Sequence, residues 1–278
     1  MLRRLSVLAG LFVVTAAYAQ ENAKLPHLSY PKTKTVDQVD ELHGVKIADP
    51  YRWLEDLDSP ETADWVKAEN EVTFKFLEEI PARDKIKARM THLWDFERYG
   101  VPFKEGGRYF YSKNDGLQAQ SVIYVAEALD AEPRVLIDPN KLSADGTVAL
   151  AGLSVSEDGK RLAYGLSTAG SDWVEYKVRD IDTGQDLSDD LKWIKFSGAS
   201  WTRDGQGFFY SRFDEPKGDE LKEANYYQKL FYHKVGAPQT DDRLVYQRAD
   251  QKEWGFGGEV TDPIPSFPMR FSLGTKQS

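Results

Sequence analysis

Two periodicities divide the chain. Over residues 59–80 the apolar side chains Trp65, Ala68, Val72, Phe76 and Ile80 recur at steps of three and four, which puts them on one stripe of a helix running to about Glu79. Ser59-Pro60-Glu61 supplies its start: a serine able to accept from free amides, a proline at the first helical position and an acid at the positive helix end. Pro81 interrupts the pattern. Ile86, Met90 and Leu93 then predict a second amphipathic helix over residues 82–94. From Tyr99 the period shortens to two. Residues 108–112, 121–125 and 134–137 are rich in Tyr, Phe, Val and Ile and are separated by Gly, Asp and Asn clusters, which predicts many short antiparallel strands.

The strand-rich half repeats itself. Ser154-Val155-Ser156-Glu157-Asp158-Gly159 corresponds to Ser200-Trp201-Thr202-Arg203-Asp204-Gly205, with the Asp-Gly pairs 46 residues apart, and an earlier copy at Gly106-Gly107-Arg108-Tyr109 lies 52 residues before by its second glycine. Each copy is a strand, a glycine turn and an aromatic strand. A period of roughly 40 to 50 residues holding four strands is the blade of a β-propeller, whereas a β-sandwich, the alternative, requires no repeat. A fourth copy starts at Gly257-Gly258-Glu259-Val260-Thr261-Asp262 and then breaks off. Pro263, Pro265 and Pro268 cannot fill a central strand, and no acid occurs over residues 263–278. The expectation is a mainly β chain: a helical segment over residues 20–83, then an incomplete propeller of about three blades and the start of a fourth over residues 84–262. Residues 263–278 are expected to be a tail foreign to that fold.

Ahead of the helices, prolines and lysines over residues 24–39 predict an extended lead-in, and Gly44 suits a turn between short extended pieces. Asp49-Pro50-Tyr51-Arg52-Trp53-Leu54-Glu55-Asp56 follows. Two large aromatics, a leucine, an arginine and three carboxylates in eight residues exceed what a solvated linker needs. Two readings stand: a cap beneath the following helix, or a docking surface for another body.

Composition adds an address. Residues 1–19 have a basic start at Arg3 and Arg4, a short apolar run and a small-x-small site at Ala17-Tyr18-Ala19, the pattern of a cleaved export signal. An exported, periplasmic or secreted protein is expected, with an uncleaved anchor as the alternative. Losing that segment removes two arginines and takes the net charge from −9 to −11. So acidic a chain, with no basic cluster, argues against nucleic acid and anionic membranes as partners. It has no cysteine, which excludes disulfides, thiol catalysis and cysteine metal sites.

The residues offer little catalysis. A nucleophile elbow requires Gly-x-Ser-x-Gly, because glycines tolerate the strained turn that exposes the serine, and no such stretch occurs. His27, His43, His92 and His233 stand singly, and Asp189-Asp190 and Asp241-Asp242 read as solvated loop charges, lacking the alternation of a calcium loop. No cofactor and no metal are expected. Trp201 is expected to pack between blades, but Phe196 differs in kind: the Ser197-Gly198-Ala199-Ser200 run leaves room beside it for its ring to face a central cavity or the propeller's upper surface.

The ordered motifs Asp49 to Asp56, Gly107-Arg108-Tyr109-Phe110-Tyr111, Ser156-Glu157-Asp158-Gly159, Gly170-Ser171-Asp172-Trp173, Lys195-Phe196-Ser197, Trp201-Thr202-Arg203-Asp204-Gly205 and Trp254-Gly255-Phe256-Gly257 resemble the amino-terminal part of the prolyl oligopeptidases, proline-specific serine peptidases. The resemblance runs from about Tyr30 to Asp262. It implies a seven-bladed propeller that covers an α/β-hydrolase domain formed by a distant carboxyl-terminal part, absent from these 278 residues, and it carries no catalytic residue onto this sequence. It implies that Tyr51, Trp53 and Leu54 dock on that domain, that Phe196 reaches the substrate pocket, and that Phe256 lies near another pocket position. The function so implied is a truncated prolyl oligopeptidase, inactive alone, whose full-length form cleaves short proline-containing peptides while the propeller filters their size. The alternatives are a non-enzymatic propeller that binds a peptide or protein, and a fragment of an oligopeptidase B-like hydrolase.

Overall fold

The structure is a computed structural model that describes residues 28–218, 224–264 and 267–273. It divides into two compact units, residues 1–88 and 89–278. The expected export signal over residues 1–19 lies outside the described residues. Among the described residues, no helix is long and apolar enough to cross a membrane.

The first unit begins with a lead-in without regular structure and a hairpin of β1 (Val39–Leu42) and β2 (Val45–Ala48), joined at His43-Gly44, both of which have positive φ. Helix α1 (Pro60–Glu78) starts as its sequence directs: the Ser59 hydroxyl accepts the Thr62 amide at 3.1 Å, and Pro60 occupies the first turn. Its expected stripe of Trp65, Ala68, Val72, Phe76 and Ile80 is half-buried while most of the remaining helix is exposed. The lead-in crosses that stripe, with the Trp65 indole donating to the Thr33 hydroxyl and Lys34 pairing with Glu61. Helix α2 (Arg83–Trp94) spans the division between the units and leaves Ile86, Met90 and Leu93 exposed. Thr62 is the single buried residue of the described part of this unit.

The second unit is a series of antiparallel sheets with nearly repeating order. The first comprises β3 (Arg98–Tyr99), β4 (Phe103–Glu105), β5 (Arg108–Asn114), β6 (Val122–Ala126) and β7 (Arg134–Ile137), with β3 and β4 pairing different ends of β5. The second runs β8 (Val148–Val155), β9 (Arg161–Thr168), β10 (Val174–Asp180), β11 (Asp186–Ile194), and the third β12 (Ser200–Trp201), β13 (Gly207–Arg212), β14 (Lys229–Lys234), β15 (Arg243–Tyr246). A hairpin of β16 (Phe256–Ile264) and β17 (Phe267–Leu273) follows. These are three blades and the start of a fourth. Strand β16 continues through Pro263, which a two-stranded hairpin tolerates because each strand has an open edge.

The blades hold together through shared cores. Phe110, Ile123, Val125, Leu136 and Ile137 of the first meet Leu162, Tyr164 and Ile181 of the second. Ala163, Tyr176, Val178, Leu191 and Ile194 of the second meet Trp201, Phe208, Tyr210 and Phe231 of the third. Consecutive residues of β9 therefore serve opposite seams, which is why Leu162-Ala163-Tyr164 reads as a continuous apolar run.

The repeated turns interlock. Asp158 accepts from the Ser156 hydroxyl at 2.6 Å and the Lys160 amide at 3.1 Å, and Asp204 accepts from the Thr202 hydroxyl at 2.7 Å and the Gln206 amide at 3.0 Å. These bonds hold the Asp204 carboxyl below its ordinary range, and at Asp158 they outweigh an opposing effect of burial. The Arg108 guanidinium reaches from the first blade to the Gly159 carbonyl, and Arg161 reaches likewise from the second blade to the Gly205 carbonyl. Gly106 nests against the next turn so closely that a Cβ there would lie 2.3 Å from the Asp158 backbone, while a Cβ on Gly107 would meet nothing within 4 Å. Both have positive φ. Gly106→Ala is therefore expected to cost clearly more than Gly107→Ala, whose loss should stay at about 1–2 kcal/mol of left-handed strain, in urea unfolding of the two variants.

Candidate functional site

The strap between β11 and β12 carries Phe196. Its backbone has φ 54°, a left-handed conformation rare for a bulky residue, and its side chain is 62% exposed. Both neighbours are pinned. The buried Lys195 places its ammonium 4.0 Å from the centroid of Trp173, whose ring packs edge-on against Trp193 and Phe213. The Lys195 carbonyl accepts from the Gln228 side-chain amide at 2.9 Å. On the other side, the Ser197 carbonyl accepts from the Tyr176 hydroxyl, and the Ser197 hydroxyl accepts the Ser211 amide at 2.7 Å. With both flanks held, the local packing enforces the strained φ and presents the ring to solvent.

Phe196 overhangs a cavity of about 490 Å³ lined by Ser154 and Val155 of β8, residues 197–201 and residues 257–260. Glu105, Glu157 and Glu259 contribute carboxylates and Arg203 a guanidinium, which reaches the Thr261 carbonyl at 3.4 Å. The inner strands of successive blades thus converge on one space. The cavity offers an aromatic ring and mixed charge, and its described lining brings no nucleophile and base into contact.

Phe256 takes a different place. It is 5% exposed, clustered with Phe209 and Leu230 and packed edge-on against Tyr246. Its amide donates to the Gln228 Oε1 at 2.7 Å and its carbonyl accepts from the Ser211 hydroxyl at 2.5 Å. The Phe256 ring thus packs into the core, and the adjoining Gly257 and Gly258 line the cavity.

Residues 49–56 fold into a single 3-10 turn, Arg52–Glu55. Trp53 and Leu54 are half-buried; the Trp53 indole donates to the Lys34 carbonyl at 2.9 Å, and the Trp53 carbonyl accepts from the Thr62 hydroxyl at 3.4 Å. Arg52 pairs with Asp49, Glu55 and Asp40. The segment does cap α1 locally, and it leaves Tyr51 48% exposed.

The charges at Asp189 and Asp242 were misjudged by sequence. Neither is a solvated loop charge: both carboxylates are fully buried, bonded to the two ring nitrogens of the buried His233. A signal was present for Asp189, which shares its strand parity with the core residue Leu191. Asp189 lies 44 residues from His233 and Asp242 nine, and neither spacing announces the bond. Among the described residues, no group of three or more His, Cys, Asp and Glu is placed to hold a metal ion.

Removing the Phe196 ring should leave stability nearly untouched, and Phe196→Gly should raise it by about 1 kcal/mol by relieving the positive φ. Phe256→Ala should lower it by about 3–5 kcal/mol through an unfilled core. Thermal melts of the two variants check both.

The sequence family described as "Prolyl oligopeptidase, N-terminal beta-propeller domain" matches residues 31–263. A prolyl endopeptidase of Elizabethkingia meningoseptica is 40% identical over 93% of this chain and 36% of its own length, and prolyl oligopeptidase A of Amanita bisporigera is 35% identical over 84% and 35%. Among solved structures, prolyl oligopeptidase B of Galerina marginata, bound to a 25-residue macrocyclization substrate, superposes with a TM-score of 0.73 at 29% identity, over 84% of this chain and 36% of that one. The chain thus spans about a third of the length of the curated relatives it matches. On the extent of that match and the repeated blades behind it, the chain belongs to the prolyl oligopeptidase family, within the amino-terminal propeller region of its relatives.

Proposed function

We propose that this chain is the peptide-gating part of a proline-specific serine peptidase, with Phe196 a contact for short proline-containing peptides. The observation that carries this reading is the exposed Phe196 ring, held in a strained backbone at the rim of a cavity that the inner strands build. A ring kept in water by pinned neighbours serves binding better than packing, and proline offers a flat apolar face to stack on it. Bond cleavage would come from a hydrolase portion corresponding to the remaining length of the relatives, since these residues hold no nucleophile elbow.

The same reading gives the first unit a purpose. Val39, Val45, Ile47, Tyr51, Leu57, Phe74 and Ile86 are all exposed, more apolar surface than a unit with a single buried residue among those described can use itself. Tyr51, with Trp53 and Leu54 behind it, would dock on that hydrolase portion. Residues 1–19 would direct export, and the mature chain would begin at Gln20, which amino-terminal sequencing of the secreted protein checks.

The binding claim is tested by titrating the purified chain with a short proline-containing peptide and following tryptophan fluorescence. Binding without cleavage is expected, weakened about 3- to 10-fold in Phe196→Ala as one aromatic contact of about 0.5–1.5 kcal/mol is lost. Equal affinity of the two proteins, or peptide turnover by this chain, contradicts the reading.

A further inference from the structure

A charged cluster lies buried at the seam of the second and third blades, among residues that the Phe196 strap does not use. His233 on β14 has its Nε2 2.8 Å from Asp189 Oδ1 on β11 and its Nδ1 2.6 Å from Asp242 Oδ1, just ahead of β15, and all three side chains are fully buried. We propose that Asp189, His233 and Asp242 form a proton-dependent latch across this seam, closed while the imidazole carries both ring protons and released when it gives one up.

The geometry requires both protons. A neutral imidazole has one donor, so it can serve one carboxylate, whereas the imidazolium donates to Asp189 and Asp242 together. The bond to Asp189 joins the two blades, because Asp189 belongs to the second and His233 to the third. The other donors leave no substitute for it. Asp189 Oδ1 also accepts the Gly236 amide at 2.7 Å, but its Oδ2 has no partner among the described residues. Asp242 Oδ2 accepts from the Tyr210 hydroxyl at 2.5 Å, and that hydroxyl accepts from the Gln239 amide at 3.0 Å. The rings of Phe208 and Tyr210 complete the surroundings of the imidazole. When the ring loses a proton, two buried carboxylates remain with no cation between them, a state that drives a seam apart.

The groups facing His233 are thus Asp189 from β11, Asp242 beside β15 and Tyr210 from β13. Burial alone pushes His233 down, but the two carboxylates more than offset it and raise the imidazole to about 9. Burial, with Asp242 beside it, pushes the Tyr210 phenol up, so that group keeps its proton in the same range. A raised histidine stabilises fully below its ordinary value near 6.5 and loses that contribution as pH climbs through about 9. The latch is therefore shut at neutral pH. It opens under alkaline conditions, at a seam whose inner side lines a second cavity with Tyr176, Ser197 and Gly198 and so reaches the strap carrying Phe196.

Thermal melts of this chain between about pH 7 and pH 10, compared with His233→Gln, read the latch. The unaltered chain is expected to lose several degrees across that range, while His233→Gln starts lower and stays flat over it. Equal slopes in the two proteins, or no loss in the unaltered one, overturn the proposal. Nitrogen-15 NMR of the imidazoles in the unaltered chain needs no variant of His233 to fold: two ring protons on His233 at about pH 7.5 and one at about pH 10 are expected, and a neutral ring at pH 7.5 overturns it.

Discussion

A sheet with apolar side chains on both faces must be covered on both, and that constraint governs this molecule. The second blade meets it on both sides: Leu162, Tyr164 and Ile181 are buried toward the first blade, and Ala163, Tyr176 and Val178 toward the third. The first blade meets it on one side. Its other face carries Tyr99, Tyr111, Tyr124 and Val135 as a cross-strand ladder, with Tyr111 stacked on Tyr124 at 5.7 Å, and both Tyr99 and Val135 remain exposed. In the first unit most elements carry apolar side chains that lie exposed, and there the constraint is unmet.

Where seams are covered, polar devices fix their register. The interlocked Asp-Gly turns, the Arg108 and Arg161 reaches to glycine carbonyls and the buried cluster around His233 each satisfy groups that would otherwise be costly inside the stack. The same logic holds Phe196. Gln228 bonds the Lys195 carbonyl and the Phe256 amide at once, so a packing residue and an exposed one depend on a single buried amide. The strap carrying Phe196 is thereby tied to the core behind it.

Much of this was legible in sequence, and for identifiable reasons. The helix start at Ser59-Pro60 and the blade turns at Asp158-Gly159 and Asp204-Gly205 are local devices, in which chemistry and conformation lie within a few residues of each other. The small residues after Phe196 signalled room beside its ring, but its exposure depends on bonds to Lys195 and Ser197 from Gln228, Tyr176 and Ser211 elsewhere in the chain. Phe256 was not legible as buried, since its environment comes from Phe209, Leu230 and Tyr246, brought by other strands. His233 was missed for the same reason: Asp189 lies 44 residues away, and only the stacking of two blades makes it a neighbour. The segment around Trp53 supported both of its readings, local cap and outward surface, because a short turn can serve one with its backbone and the other with its exposed rings.

Stability resides in the seams between blades, while the first unit and one face of the first blade keep apolar side chains exposed. Amide hydrogen exchange of this chain, resolved by segment, measures that distribution directly. Slow exchange in β9, β10, β13 and β14 with fast exchange throughout residues 28–88 is the predicted result; protection of α1 and α2 equal to that of β9 and β13 would contradict it.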